Sequence, residues 1–160
     1  MQNLSNRERM TLCDIYEVCS RDGIAVYGFD LPQSRALSVM DGEGKCVIGI
    51  DNSRRYSETE EKTLLLHELG HCETGAFYNE ATPFASVDKC EKKADEWVIR
   101  SFLPYKEMIN AYRSGVRTRN ELAEYFGITE QLVQKAIEYY LRNGEEYGAF
   151  REENWQTDNF

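Results

Sequence analysis

The sequence predicts an α+β fold in which a small, largely antiparallel sheet of about three strands packs on one long helix, with a helical C-terminal part. Three observations predict it. Apolar residues recur at helical spacing near the N-terminus and again beyond residue 57, alternation of period two is confined to residues 24–50, and helix-start signatures stand at Ser5/Glu8, Ser57/Glu60 and Thr118/Glu121.

Taken in order, Leu12, Ile15, Tyr16 and Cys19 form an amphipathic stripe that ends before Gly23, a first helix opened by the Ser5/Glu8 capping pattern. Ile24, Val26 and Phe29 with Leu31 read as a first strand. Leu37 and Val39 alternate with polar neighbours as a second, and Asp41-Gly42-Glu43-Gly44 is a turn into the apolar third, Cys46 to Ile50. Ser57 and Glu60 cap the next helix, which carries Leu64, Leu65, Leu66 and Leu69 before Gly75. A loop with Phe77, Tyr78, Pro83 and Phe84 leads to a helix expected from about Asp88 to Leu103 and stopped by Pro104. Domain boundaries are expected at 1–104 for a main domain, 105–142 for a helical subdomain and 143–160 for a tail whose Tyr147, Phe150, Trp155 and Phe160 follow no period.

At 160 residues the chain suits one domain with a small appendage, and its 41% hydrophobic and 12% aromatic content is that of a folded protein. A net charge of -9 argues against a broad phosphate-binding surface. No apolar run reaches the roughly 20 residues that span a bilayer, and residues 1–10 have no signal-peptide core, so a cytoplasmic protein without a membrane partner is expected. Cys13, Cys19, Cys46, Cys72 and Cys90 are an odd set without a C-x-x-C pair, which predicts reduced thiols and no disulfide framework; Cys72 and Cys90 read as small buried hydrophobes.

The chemistry concentrates in His67-Glu68-Leu69-Gly70-His71, which holds the chain's two histidines. Four residues apart on a helix, their imidazoles share a face and can converge on one metal, in the H-E-x-x-H pattern of zinc peptidases. Glu68 falls beside that metal and can take a proton from a water whose pKa the metal lowers to roughly 7. Glu91, about twenty residues beyond His71, is the expected third ligand; Asp88, Glu73 and Asp95 are the other oxygen candidates. Asp95, one helical turn after Glu91, is placed to accept the remaining ring N–H of a ligating histidine. For an oxyanion partner the residues leave Tyr78, Tyr105 and Arg100 open.

His67-Glu-Leu-Gly-His71, Glu91-Lys-Lys-Ala-Asp95-Glu-Trp-Val and Phe102-Leu-Pro104 together resemble the ImmA/IrrE family of metallopeptidases, with a gluzincin ligand arrangement, over about Ile48 to Pro104. The resemblance implies that His67, His71 and Glu91 bind Zn2+, that Glu68 is the catalytic base and acid, and that the protein acts inside the cell. It also implies a protein substrate, a helix-turn-helix repressor of a phage, a mobile element or a stress-response gene set. Asp95 stands where many members carry Asn, and the segment before Cys46 matches no motif of the family.

The segment from Thr118 through Gly127 to Leu141 has helix-turn-helix spacing, with Ala123, Gly127 and Val133 at the small, turn and aliphatic positions. Its second helix mixes Glu130 and Glu138 with Lys135 and Arg142, which argues against DNA contact despite Arg113, Arg117 and Arg119 upstream. The readings that compete with a zinc endopeptidase are a DNA-binding regulator with a structural zinc and a protein that sequesters a repressor without cutting it.

Overall fold

The structure, a computed structural model, describes residues 10–144. Within them the order is α1 (Leu12–Arg21), β1 (Ala25–Phe29), β2 (Ala36–Met40), β3 (Cys46–Asp51), α2 (Glu58–Thr74), α3 (Phe84–Phe102), α4 (Tyr105–Arg113), α5 (Arg119–Phe126) and α6 (Glu130–Arg142). This is an α+β fold with a helical C-terminal part. It divides into two compact units, residues 10–98 and the described residues from 99 onward.

In the first unit α1 opens with a capping box: Thr11 Oγ1 accepts from Asp14 N–H, and the Asp14 carboxylate accepts from Thr11 N–H at 2.6 Å. The Ser5/Glu8 pattern lies outside the described residues. Asp at the third helical position does the work usually read from Glu or Gln there. Ile15 and Cys19 are the buried stripe of this helix.

The three strands form a mixed sheet in the order β1-β3-β2. Ile48 at the centre of β3 faces Val26 across a parallel pair and Ser38 across an antiparallel one. Strand propensity carries no signal for the direction of a neighbour, so the parallel β1·β3 pair is a product of the chain path. The hairpin turn between β2 and β3 falls where Asp41 to Gly44 predict it: Asp41 N–H donates to the Lys45 carbonyl, the Asp41 side chain accepts from the N–H groups of Glu43 and Lys45, and Gly44 adopts φ 79°.

Aligned residues on neighbouring strands point to the same face, so Ser38 shares the face of Ile48, which is fully buried. Against the sheet pack α1, on β1, and α2, on β2 and β3, and Leu65, Leu66 and Leu69 of α2 are fully buried. Ser57 and Glu60 form the expected capping box at the start of α2, and Gly75 ends it at φ 65°. The next helix begins at Phe84, earlier than the expected Asp88, because the Pro83 carbonyl already accepts the N–H groups of Ser86 and Val87.

In the second unit Thr118 and Glu121 form the expected capping box of α5, Gly127 turns the chain at φ 62°, and Thr129 caps α6. The two helices pack together, burying Leu122, Ala123 and Phe126 with Val133, Ala136 and Ile137. Tyr140 O–H donates to the Leu103 carbonyl at 2.8 Å. The tail aromatics Tyr147, Phe150, Trp155 and Phe160 lie outside the described residues. Among the described residues no helix is long and apolar enough to cross a membrane.

One expectation is corrected here. Cys46 at the start of β3 and Cys72 near the end of α2 are joined by a disulfide, with Cα atoms 5.6 Å apart, while Cys13, Cys19 and Cys90 are free. Their partnership is invisible in the sequence because 26 residues separate them; packing of helix on sheet brings the two Cβ atoms together. Of the two cysteines beside the proposed ligands, Cys72 is thus a cross-link, and Cys90 is a half-buried thiol near the Phe77 carbonyl. Cys72→Ser, or reduction of the wild type, is expected to lower the unfolding free energy by about 3 kcal/mol, the value for closing a loop of this order of length. A denaturant titration with and without a dithiol reductant measures it.

Candidate metal centre

His67, Glu68, His71, Glu91 and Asp95 all lie in the first unit. His67 and His71 project from one face of α2, and Glu91 and Asp95 from α3, four residues apart on each helix. His67 Nε2 lies 3.1 Å from His71 Nε2 and 3.1 Å from Glu91 Oε2, and His71 Nε2 lies 3.3 Å from Glu91 Oε1. Among the described residues these three are the group that could hold a metal ion. Of the other oxygen candidates, Asp88 pairs with Lys92 at 2.8 Å, and Glu73 feels the charges of Asp22 and Arg21 at the end of α1.

The donor chemistry fits a cation. His71 Nδ1 is 2.7 Å from the Ala76 carbonyl, an oxygen that can only accept, so Nδ1 carries a proton and the ring, when neutral, presents its lone pair at Nε2. His67 Nδ1 is 3.1 Å from Asp95 Oδ1, which fixes its tautomer in the same way. Two lone pairs and a carboxylate are thereby turned toward one point. A tetrahedral ion with bonds of about 2.0–2.1 Å needs ligand atoms roughly 3.3 Å from one another, close to the spacings found.

The same arrangement governs the local titration. Burial alone would depress the basicity of His67, but its hydrogen bonds to Asp95 and Glu91 outweigh that and push its pKa up to about 10. His71 is opposed by burial and raised overall by Glu91 and the Ala76 carbonyl. Glu91 is held well below the usual carboxylate range by its hydrogen bonds to the two imidazoles. Burial raises Glu68, 7% exposed, against the lowering effect of a hydrogen bond from Ser38 on β2.

Glu68, His67 and His71 open into a cleft of about 660 Å3 whose walls include Leu37 and Ser38 of β2 and Tyr78 of the loop after α2. Phe84, 86% exposed, stands at its margin. Among the three oxyanion candidates Tyr78 lines this cleft, whereas Arg100 and Tyr105 belong to the second unit. Ser38, Ala76 and the link from Tyr78 O–H to Glu91 Oε1 at 2.5 Å were not legible in the sequence. They depend on strand register and on the path of one short loop.

Gly70 decides how close the two helices come. A Cβ there would lie 2.7 Å from the Ala94 carbonyl oxygen and 3.1 Å from Val98 Cγ2. The contact is with backbone, which cannot swing aside, so the residue between Leu69 and His71 must be glycine for α3 to bring Glu91 to the histidines.

The family model for peptidase M78, the IrrE N-terminal-like domain, matches residues 19–138, about three quarters of the chain. The chain belongs to this family. No curated protein and no solved structure is found to match it. Membership in peptidase M78 carries a metallopeptidase-type function at the family level, and with it a protein substrate. The matched span contains every residue of the His67, His71 and Glu91 group, together with Glu68 and Asp95.

Gly70→Ala is expected to destabilise the protein by about 1–3 kcal/mol, the range for forcing extra carbon into a packed core. It should also weaken metal binding, because separating α2 from α3 moves Glu91 away. Denaturant titration and a metal titration on the same samples check both effects; unchanged stability would mean that the helices relax without cost.

Proposed function

We propose that this protein is a zinc-dependent endopeptidase in which His67, His71 and Glu91 hold the metal and Glu68 is the general base and acid. The observation that carries this reading is the convergence of two imidazole lone pairs and one carboxylate on a single point in a cleft that Glu68 also faces. Two nitrogens and an oxygen from protein, with room for water, are a common donor set of catalytic zinc. The catalytic part is assigned to residues 1–104.

Zinc, when bound, supplies Lewis acidity, lowering the pKa of water and polarising the scissile carbonyl. The chain does the rest. Asp95 and the Ala76 carbonyl hold the two rings with Nε2 turned inward. Glu68 takes the proton of the attacking water and gives it to the leaving amine nitrogen. Ser38 lines the same cleft and favours the charged form of this carboxylate. Among the described residues β2 pairs with β3 alone, which suits an extended substrate adding to its other edge by backbone hydrogen bonds.

The substrate we assign is a helix-turn-helix repressor of a phage, a mobile element or a stress-response gene set, met in the cytoplasm. A net charge of -9 suits steering toward a basic DNA-binding partner. In that compartment the Cys46–Cys72 bond is an exception to thiols kept reduced. Residues 105–142 are proposed to dock a protein partner. DNA contact has little support: Arg119 is engaged by Glu130 and Gln134, and Arg117 by Tyr112.

Glu68→Gln is expected to keep zinc and to lose cleavage by about 10²–10⁴-fold, the usual contribution of a positioned acid–base group. A comparison of new protein N-termini in host cells expressing wild type or Glu68→Gln measures this and names the substrate. One or a few cuts made by wild type alone support the proposal. Relief of repression by both proteins with no new N-terminus would instead establish a repressor-binding protein that does not cut.

A further inference from the structure

Each proposed ligand has one hydrogen bond behind it. His67 has Asp95, His71 has the Ala76 carbonyl, and Glu91 has the hydroxyl of Tyr78. The first two fix ring orientation. A carboxylate needs such a support more than an imidazole does, since it has two equivalent oxygens and turns about its last bond with little resistance.

The Tyr78 hydroxyl donates to Glu91 Oε1 at 2.5 Å, and among the described residues it is the donor to Glu91 from outside the two imidazoles. Its ring meets the His71 ring edge to face, with centroids 5.9 Å apart. The side chain is 45% exposed and lines the cleft. Two residues before it, Ala76 holds His71, so the turn that leaves α2 at Gly75 supplies support to two of the three ligands.

We propose that Tyr78 is a positioning residue: by occupying one oxygen of Glu91 it holds that carboxylate in the orientation that completes the metal group with His67 and His71. The inference rests on the metal reading above and extends it to a residue outside the H-E-x-x-H motif. Because Tyr78 acts through Glu91, its removal loosens the metal before it changes any step of bond cleavage. Its place on the cleft wall also exposes this hydrogen bond to whatever occupies the cleft.

Zinc dissociation constants measured with a competing chelator on the full chain test this without reference to activity, using wild type, Tyr78→Phe, Tyr78→Leu and His71→Ala. Tyr78→Phe keeps the ring on His71 and removes the hydroxyl alone. It is expected to weaken zinc by about ten- to a hundredfold, the range for losing a hydrogen bond to a metal ligand, with Tyr78→Leu similarly weak and thermal unfolding in excess chelator unchanged. Equal affinity of Tyr78→Phe and wild type overturns the proposal, and weakening in Tyr78→Leu alone assigns the effect to ring packing and overturns it as well. Zinc binding that is as weak in wild type as in His71→Ala instead removes the metal reading on which the proposal stands, an outcome the controls separate from the others.

Discussion

Where α2 crosses α3, Gly70 lets the Ala94 carbonyl come to a distance that any side chain would forbid. From that approach the rest of the centre follows. The two histidines are fixed by their spacing on one helix, but Glu91 and Asp95 reach them only if the second helix lies close and in register. A helix pair held further apart would keep the H-E-x-x-H pattern and lose both carboxylates. The constraint is steric and backbone-borne, which makes it stiffer than the hydrogen bonds it positions.

Electrostatics then sharpen what packing has assembled. Acceptors behind both imidazoles hold a proton on each Nδ1 and turn each Nε2 toward Glu91, where it offers an N–H to the carboxylate when the ring is charged and a lone pair to a cation when the ring is neutral. Hydrogen bonds to Asp95, Glu91 and the Ala76 carbonyl raise the basicity of His67 and His71, and hydrogen bonds from those imidazoles depress the pKa of Glu91, despite burial that opposes all three shifts. Pairing of the α3 carboxylates with the α2 imidazoles shifts the two kinds of group in opposite directions, each toward its charged form.

The sheet serves this centre more than it serves itself. Its central strand is tied covalently to α2 by the Cys46–Cys72 bond, and its edge strand delivers Ser38 to Glu68 and one wall of the cleft. Three strands are few for an independent sheet. Here the helices cover one face, and Tyr27, Phe29 and Val39 remain partly exposed.

Local features were legible in the sequence because they depend on neighbours along the chain. The capping boxes at Ser57 and Thr118, the left-handed glycines at 75 and 127, the turn at Asp41 and the shared face of His67 and His71 all follow from residues within a few positions of one another. Glu91 and Asp95 could be proposed because a helical period carries them to one face. What the tertiary structure alone decided are contacts between segments far apart in sequence: the Cys46–Cys72 bond, the parallel pairing of β1 with β3, Ser38 against Glu68, and Tyr78 on Glu91. Periodicity states which face of an element is apolar, whereas distances between elements are set by how side chains and backbone pack, and a sequence read one segment at a time holds no record of that.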